Sequence, residues 1–545
     1  MRGVRTVGHA RVVTTTSDTD PVSSDATSAW SPLRIVAFRA LWLAQLASMI
    51  GTWMQTVGAQ WLLIDEPDAP TLVSLVQTAS LLPMLLLALP AGVLADSFDR
   101  RRLLVGVQLS TLVVSGILTA ATAFGEISPE VLLALTFLIG CGQAMSMPPW
   151  QALIPDVVPN EGVRAASALG AVSMNLARAV GPALAGLLIT QVDVWLVFGI
   201  NSAVYGLLAV VVLRWGPAGR VSGDMPERFG PALRAGTRYV RHSRVVRRLL
   251  LRSALFVLPG TALWALLPLV ASRLLGLGSS GYGLLLGALG VGAVAGAVVL
   301  PRLLTRVTTG AMIFLASVVF AAAEAGIVFV RDLPLAVALL LPAGAAWLAV
   351  LSTMAAATQV FLPSWVRARG LSVQQIVMMG GQAVGALVWG IAASHVGLVP
   401  VFVAAAVLMV LGAATSAIWP LFDTAGLDRS TVHWPEPQVI VEPDPDEGPV
   451  LITVAYVVPP ENERRFVEAM QRVQASRRRT GATRWNLYRD AAVPGRFLET
   501  FLVPSWDEHL RQHRERPTAS DRDIVKAAVD LAAGPPDVAH LLRAR

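Results

Sequence analysis

Apolar residues occur in long runs through the first three quarters of the chain, and short polar stretches separate the runs. A helix that crosses the hydrocarbon core of a bilayer needs about 20 mostly apolar residues. The candidate spans are 40–63, 72–95, 103–124, 131–153, 164–190, 194–214, 249–272, 282–301, 310–330, 334–360, 369–394 and 398–421. The pattern therefore predicts an all-α membrane protein with twelve transmembrane helices.

The composition agrees with a membrane protein and excludes an ordinary soluble one. Of the 545 residues, 54% are hydrophobic and 14% are charged, and the mean hydropathy is +0.60. Soluble domains carry about 25% charged residues. The first 30 residues are polar and have neither an apolar core nor a cleavage site, so we expect no secretory signal peptide. The single cysteine, Cys141, lies in a predicted span, which excludes an intrachain disulfide.

The net charge of +7 is distributed unevenly among the turns between the spans. Arginine is concentrated in alternate turns, for example at 100–102 and through 214–252, whereas the opposite turns carry mainly acids such as Asp65, Glu126 and Asp193. Cytoplasmic loops of membrane proteins carry the excess of basic residues. The distribution predicts a multi-pass plasma-membrane protein with both termini in the cytoplasm. It also accounts for the positive charge without a nucleic-acid partner.

Two pairs of segments share one offset along the chain. Residues 177–186 (ARAVGPALAG) resemble residues 381–390 (GQAVGALVWG), and residues 91–102 share Ala, Gly and Arg positions with residues 295–306, each at an offset of 204. Agreement of two independent segments indicates an ancestral duplication of six spans. We therefore expect two parallel six-helix halves with a site at their interface.

The chain changes character after Phe422 and becomes polar. The following pattern is strand Val450–Val458, helix Glu461–Arg478, strand Thr483–Arg489, strand Phe497–Val503, helices from Ser505 and a strand near Val538–Leu542. This order predicts a small α+β domain of the ferredoxin-like class. The domain resembles the dimeric α/β-barrel modules related to antibiotic-biosynthesis monooxygenases. The resemblance implies a dimerisation or regulatory module, and a catalytic tail is the alternative.

Two histidines of this domain, His509 and His513, are one helical turn apart and can share a metal ion. No third ligand stands at a suitable spacing, so we expect a solvated helix face and no metal site. The predicted organisation of the chain is a disordered cytoplasmic N-terminus at 1–30, a first six-helix half at 31–214, a basic cytoplasmic loop in contact with membrane lipid at 215–248, a second half at 249–422, a linker at 423–448 and the soluble domain at 449–545.

The most informative motif is GVLADSFDRRRLL at 92–104, a charged turn between two spans. It resembles the signature between helices 2 and 3 of the major facilitator superfamily. Gly92, Asp96, Arg100 and Arg101 match that signature, whereas Ser97 replaces the usual Arg and Asp99 replaces the usual Gly. The resemblance implies that Asp96 latches a cytoplasmic gate against the start of helix 11, and that the two arginines hold nearby carboxylates or carbonyls. The alternative is that the arginines only fix the topology.

The fifth span carries a second motif. Gly181, Pro182 and Gly186 form the pattern GPxxAG, which resembles a shortened form of the helix 5 motif of family antiporters. Arg178 lies near the middle of the same span, where a guanidinium costs at least about 2.5 kcal/mol without a cavity or a partner. Two interpretations are open: a substrate or gating cation that lines the central cavity together with Asn175, or a structural arginine satisfied by carbonyls of the other half.

Candidate substrate contacts are neutral amide and aromatic groups, because the first span contains no acid. Such groups suit an amphiphilic ligand, although helix packing alone also accounts for them. The candidates are Gln45, Trp53, Gln55, Gln77 and Gln143. Glu324, the carboxylate that lies well inside a span, is a candidate carrier of a coupling proton, with a helix contact as the alternative.

Several segments, including PPWQALIPDVVP and NLARAVGPALAG, resemble the enterobactin-exporter-like, transmembrane secretion effector branch of the superfamily over about residues 31–422. The resemblance implies a secondary active exporter of a small amphiphilic metabolite or drug that works by alternating access. It also favours proton coupling and implies no cofactor. A uniporter, an importer, a transporter with a catalytic tail and a membrane sensor that transports nothing are the alternatives. The chain has no Walker or HExxH sequence, so we expect neither ATP-driven transport nor a metalloprotease.

Overall fold

The computed structural model describes residues 30–215, 238–419 and 442–543 except residue 126, together with Trp434, Pro437 and Val439. The predicted disordered N-terminus, most of the predicted basic loop and most of the predicted linker lie outside the described residues. Within the described part, the helices and strands of both the membrane region and the C-terminal domain are continuous.

Twelve long helices follow one another between Val36 and Ile418. They are α1 Val36–Leu62, α2 Ala69–Ser97, α3 Arg100–Phe124, α4 Pro129–Val157, α5 Val163–Gln191, α6 Val194–Trp215, α7 Arg244–Leu269, α8 Ser279–Leu304, α9 Thr309–Ile327, α10 Leu333–Phe361, α11 Ser364–Val396 and α12 Leu398–Ile418. Eleven helices of the described chain are long and apolar enough to cross a membrane. The exception is α1, whose arginine and glutamines lower its hydropathy, so a twelfth span stays a prediction.

Polar side chains set where several of these helices begin. The Asp99 carboxylate accepts from the backbone N–H of Arg102 at 2.9 Å and caps α3. Asp332 caps α10 in the same way, through the N–H of Leu335 at 3.0 Å. Such caps satisfy backbone donors that have no partner inside the helix. The charged turn at 96–99 thus ends one helix and starts the next within three residues.

The helix pairings of the first half recur six helices later. In the first half α1 packs on α5 and α6, α2 on α4, and α3 on α4 and α6. In the second half α7 packs on α11 and α12, α8 on α10, and α9 on α10 and α12. The halves meet through α5 with α8 and through α2 with α11, which are also equivalent pairs. This arrangement is the one that a duplicated six-helix unit produces.

We call the end of the bundle where α2 ends and α3 begins the proximal end, and the opposite end, where α1 ends and α2 begins, the distal end. Hydrogen bonds join the halves in the distal part. The Tyr282 hydroxyl donates to Gln60 Oε1 at 2.5 Å, and the Thr190 and Ser279 hydroxyls are 2.8 Å apart. Thr78 Oγ1 donates to the Ala383 carbonyl at 3.0 Å. These bonds hold the distal parts of the halves together.

The C-terminal domain packs three helices on one face of an antiparallel sheet with the strand order β2-β3-β1-β4. Its elements are β1 Val450–Val457, α13 Glu463–Thr480, β2 Thr483–Arg489, β3 Arg496–Val503, α14 Trp506–Arg514, α15 Ala519–Val529 and β4 Asp537–Leu542. Alternate residues of β1, from Val450 to Tyr456, are buried against Phe466 and Met470 of α13. The element order follows the predicted order closely.

The C-terminal domain contacts the proximal end of the second half. The Arg516 guanidinium lies 5.1 Å from the ring centroid of Trp365, in the first turn of α11. Glu508 of α14 accepts from Arg516 Nη1 at 2.5 Å and lies 3.6 Å from Nη2 of Arg238, which precedes α7. Arg516 is only 3% exposed. The domain is therefore docked at the start of α7 and α11.

Candidate functional site

A cavity of about 610 Å³ lies among the first six helices and extends from the middle of the bundle toward the proximal end. This volume is within the range of pockets for small ligands, about 300–1,000 Å³. Its wall combines apolar side chains, among them Met49, Met147 and Trp150, with neutral hydrogen-bonding groups. No described lining residue is charged. The wall thus suits an uncharged surface with scattered polar groups.

Three of the five predicted substrate contacts line this cavity: Gln45, Trp53 and Gln143. Gln55 lies elsewhere, since it is buried and accepts a hydrogen bond from the Asn201 amide. Gln77 lies on α2 and is not among the described residues that line the cavity. The first half alone supplies the described lining, whereas the sequence predicted a site at the interface between the halves.

The structure adds polar lining residues that the sequence analysis missed. The Gln143 amide donates to the hydroxyls of Thr52 at 3.3 Å and Tyr205 at 3.4 Å. Gln108 Nε2 donates to Ser146 Oγ at 3.0 Å, and its Oε1 has no partner among the described residues. A buried acceptor without a partner is costly, so Gln108 offers a ligand a hydrogen-bonding site. Its position in the otherwise apolar stretch 103–109 was the available signal.

Trp53 connects the cavity to the second half through Arg178. The Arg178 guanidinium lies 5.7 Å from the ring centroid of Trp53 on α1 and 5.9 Å from that of Trp264 on α7. The two rings are themselves 6.1 Å apart. Asn175, in contrast, donates to the carbonyl of Ala171 in its own helix at 2.9 Å. The predicted cation therefore bridges the halves by cation–π contacts, without the predicted help of Asn175.

The helix 5 motif allows two close helix contacts. A Cβ on Gly181 would lie 2.7 Å from Cβ of Trp53 and 3.0 Å from the Ile50 carbonyl oxygen. Glycine at this position therefore brings α1 close enough to place Trp53 beside Arg178. The carbonyl of the next residue, Pro182, lies against Gly283 of α8. One short segment thus shapes the cavity wall and the contact between the halves.

The proximal turn at 92–104 is tied to the first half by its arginines. Arg100 Nη1 donates to Asp156 Oδ2 at 3.2 Å and to the Ala152 carbonyl at 3.4 Å, both on α4. Arg101 donates to the carbonyl of Leu213 on α6. These are a carboxylate and carbonyls, the kinds of partner that the resemblance implied. A Cβ on Gly92 would have open space around it, and the side chain of Asp96 lies outside the described residues.

Glu324 lies away from the described wall of the cavity. Its side chain is fully buried in α9, and neither carboxyl oxygen has a hydrogen-bond partner among the described residues. A role in proton coupling stays a prediction for this residue.

A histidine cluster lies in the C-terminal domain. One ring nitrogen from each of His509, His513 and His540 lies within 4.8 Å of the others. His509 is 2% exposed, so the prediction of a solvated face is wrong for this residue. Burial lowers the pKa of His509 to about 3 and also lowers the pKa of His540. The third histidine comes from β4, where it pairs with Ile452 across the sheet, a contact that chain spacing does not reveal.

Comparison with known proteins adds the following findings. The family model described as transmembrane secretion effector matches residues 27–545, which include the C-terminal domain. The staphyloferrin A transporter of Staphylococcus aureus is 26% identical over 51% of this chain and 70% of its own length. The multidrug efflux pump Tap of Mycobacterium tuberculosis is 29% identical over 38% of this chain and 51% of its own length. The chain thus spans about half of the length of Tap.

The fold is also similar to that of solved transporters. A bacterial homologue of the human lysosomal transporter Spinster, in an inward-facing and unoccupied conformation, superposes with a TM-score of 0.56 at 18% identity. The match covers 70% of this chain and 96% of that one. At this identity the likeness concerns the fold of the membrane region alone.

Proposed function

The chain belongs to the transmembrane secretion effector family of the major facilitator superfamily, and we propose that it exports a small amphiphilic drug or metabolite by alternating access. The cavity beside Trp53 carries the proposal. Its volume of about 610 Å³, its amides and the lack of charge among its described lining residues suit an amphiphile held by ring, thioether and amide contacts. The alignments with a staphyloferrin A transporter and a multidrug efflux pump support transport of a drug or metabolite.

In this proposal all twelve long helices cross the plasma membrane, and the proximal end, with both termini, faces the cytoplasm. The polar side chains of α1 support a twelfth span because they face protein: Gln45 lines the cavity, Gln55 binds Asn201 and Gln60 binds Tyr282. Polar groups in membrane helices are normally enclosed in this way. The arginines at 100–102 support the orientation. The described conformation is then held at the outer side, with its cavity directed inward, ready to load a substrate.

The proposed gate is Asp96 against the first turn of α11. Arg100 and Arg101 anchor the turn that follows Asp96 to α4 and α6, and Thr78 holds α2 to α11 further along. Asp96→Asn should therefore lower efflux strongly, whereas Asp68→Asn, in an exposed distal turn, should leave it unchanged. Equal efflux from the two variants contradicts the latch.

The direction of transport and its coupling are tested in two steps. Deletion and wild-type strains are first compared for accumulation of a panel of amphiphilic dyes and antibiotics, where an exporter predicts higher accumulation in the deletion strain. The purified protein is then placed in proteoliposomes with an imposed pH gradient and the compound that the screen identifies. Proton antiport predicts flux that reverses with the gradient. Flux that ignores the gradient supports the alternative, a uniporter, and net uptake by cells supports an importer.

For the C-terminal domain the proposal is a ferredoxin-like module with a dimerising or regulatory role. The order β-α-β-β-α-α-β and the antiparallel sheet order β2-β3-β1-β4 support the fold assignment. Exposed Val457 and Leu541, on the face of the sheet away from the helices, offer apolar area for pairing. A monomeric full-length protein in light scattering with detergent correction argues against dimerisation. A resemblance to monooxygenase modules keeps catalysis as the alternative, which turnover of aromatic polyketides by the full chain tests.

A further inference from the structure

Three imidazole rings converge inside the C-terminal domain, between α14 and the sheet. The ring centroids of His509 and His513, one helical turn apart, are 4.8 Å from each other, and those of His509 and His540 are also 4.8 Å apart. Their ligating nitrogens lie within 4.8 Å of one another. Two separate elements, a helix and the edge strand β4, therefore deliver donors of the same kind to one point.

Two of the three histidines, His509 and His540, each carry a buried ring nitrogen that the described part of the chain does not satisfy. Nε2 of His509 and Nε2 of His540 are buried and have no hydrogen-bond partner among the described residues. The other nitrogen of His509, Nδ1, lies 3.4 Å from Gln512 Oε1. A proton on Nδ1 that is donated to this amide oxygen leaves the Nε2 lone pair available to a metal ion. Such a second contact is what normally orients a metal-bound imidazole.

We propose that His509, His513 and His540 bind one divalent transition-metal ion, with Zn²⁺ as the ion that fits best. Imidazole is a preferred ligand of Zn²⁺, with Zn–N distances of about 2.0–2.1 Å, which places ligand nitrogens about 3.3 Å apart in a tetrahedron. The three ligating nitrogens lie within 4.8 Å of one another, so side-chain movement on binding must bring the most distant ones closer to reach this spacing.

The site leaves a coordination position for a further ligand. A cavity of about 140 Å³ adjoins all three histidines and is also lined by Tyr456 and Arg477. A water molecule occupies about 30 Å³ in the liquid, so the cavity has room for a metal-bound water or a small anion. Three histidines with one open position are the pattern of reactive zinc sites rather than of closed structural ones. The inference does not depend on the proposed transport function.

Metal binding can be measured on the full-length protein in detergent, with any purification tag removed. After treatment with a chelator, the protein is titrated with Co²⁺, whose visible absorption reports tetrahedral nitrogen ligands, and Zn²⁺ is then added in competition. One equivalent of Co²⁺ should bind and be displaced by one equivalent of Zn²⁺. His540→Ala and His509→Ala should each weaken binding by more than about 100-fold, because removing a ligand exceeds the 10–100-fold effect of an outer-shell change.

Matched variants separate this site from adventitious binding. His395→Ala removes an exposed histidine at the distal end of α11 and should leave the affinity unchanged, and Gln512→Ala should weaken it by about 10–100-fold. Circular dichroism of each metal-free variant checks that the domain is folded. If an alanine variant does not fold, His540→Gln is used in its place. Absence of one-equivalent binding, or equal affinity in His540→Ala, His509→Ala and His395→Ala, overturns the proposal.

Discussion

Arg178 joins the two halves through ring contacts with Trp53 and Trp264. A cation over a tryptophan face contributes about 0.5–2 kcal/mol, so two such contacts offset a large part of the cost of placing a guanidinium in the middle of a span. Of the two interpretations left open by the sequence, a gating cation fits this arrangement well, because the contacts break if the halves separate at this level.

The first prediction concerns Arg178 itself. Arg178→Ala should reduce efflux at least tenfold while the melting temperature in detergent changes by only a few degrees, and Arg178→Lys should retain part of the activity because it keeps the charge. A structural arginine predicts the reverse, a large fall in melting temperature. Arg331→Ala is the matched control, since Arg331 donates to the Val328 and Val330 carbonyls near the distal end of α9.

Asp521 is the second residue with a defined energetic role, because it ties α15 to α13. Its carboxylate accepts from Ser476 Oγ at 2.6 Å and from Arg479 Nη2 at 2.7 Å. Burial raises the pKa of Asp521, but the charge of Arg479 and the hydrogen bonds from Ser476 and Thr518 outweigh it, so that the pKa is lowered overall. The ionised carboxylate is therefore the form that the folded domain requires.

The sign of the pH dependence follows from this lowered pKa. The stabilisation by Asp521 is complete above its unfolded pKa, about 3.9, and is lost as the pH falls through the folded pKa. At pH 7, Asp521→Asn should destabilise the C-terminal domain by about 3–5 kcal/mol, because it leaves Arg479 without its buried partner. Tryptophan fluorescence during urea unfolding measures this, and the difference from the wild type should shrink below about pH 4. The exposed Asp523→Asn should change stability little.

At the scale of elements, the helices of the membrane region were predictable to within a few residues. The predicted span 282–301 is α8 Ser279–Leu304, and the predicted span 164–190 is α5 Val163–Gln191. A long apolar run can be recognised from the local sequence alone. Inside the bilayer, a helix is almost the sole way for a single such segment to satisfy its backbone hydrogen bonds. The strands of the C-terminal domain were also predictable. Buried and partly exposed residues alternate along β1 from Val450 to Tyr456, and this pattern can be recognised from neighbouring residues in the sequence.

Contacts between elements were predictable only in part. The cavity includes Gln108 and Tyr205 because α3 and α6 enclose it, and no local pattern reports which helices surround a space. His540 joins His509 because β4 pairs with β1 beneath α14. The proximity of these histidines depends on strand order and register, which cannot be predicted from the spacing of histidines along the chain.

A third prediction concerns the contact of α5 with α8. A Cβ on Gly290 would lie 2.5 Å from the Cα of Ala179, so that Gly290→Ala must push the two helices apart. Overpacking of this kind costs about 1–3 kcal/mol, and the melting temperature in detergent should fall. Gly106→Ala, in the second turn of α3, meets open space and should keep or raise stability. Equal changes in melting temperature for the two substitutions would show that helix propensity, rather than the contact between the halves, determines the effect of a glycine-to-alanine change.

At the scale of the whole molecule, the C-terminal domain lies against the proximal end of the second half, which is the end that closes in the proposed mechanism. Arg516 contacts Trp365 in the first turn of α11, and Glu508 pairs with Arg238 before α7. The first turn of α11 is also the segment against which Asp96 is proposed to latch. Closure of the proximal end must therefore carry the domain along or change this contact. The domain is well placed to bias the equilibrium between the two states of the transporter.

The last prediction tests whether this docking holds in solution. Trp365→Leu removes the ring under Arg516 without altering the C-terminal domain, so hydrogen exchange should accelerate in the first turn of α11 and in α14. Arg516→Ala should act in the same direction but also weaken the domain, because Arg516 Nη1 donates to the Thr480 carbonyl at 2.8 Å. Arg464→Ala alters a side chain that is 93% exposed and serves as the control. Unchanged exchange in α14 of the Trp365 variant would mean that the ring contact does not hold the domain, and regulation through α11 would then lack its physical link.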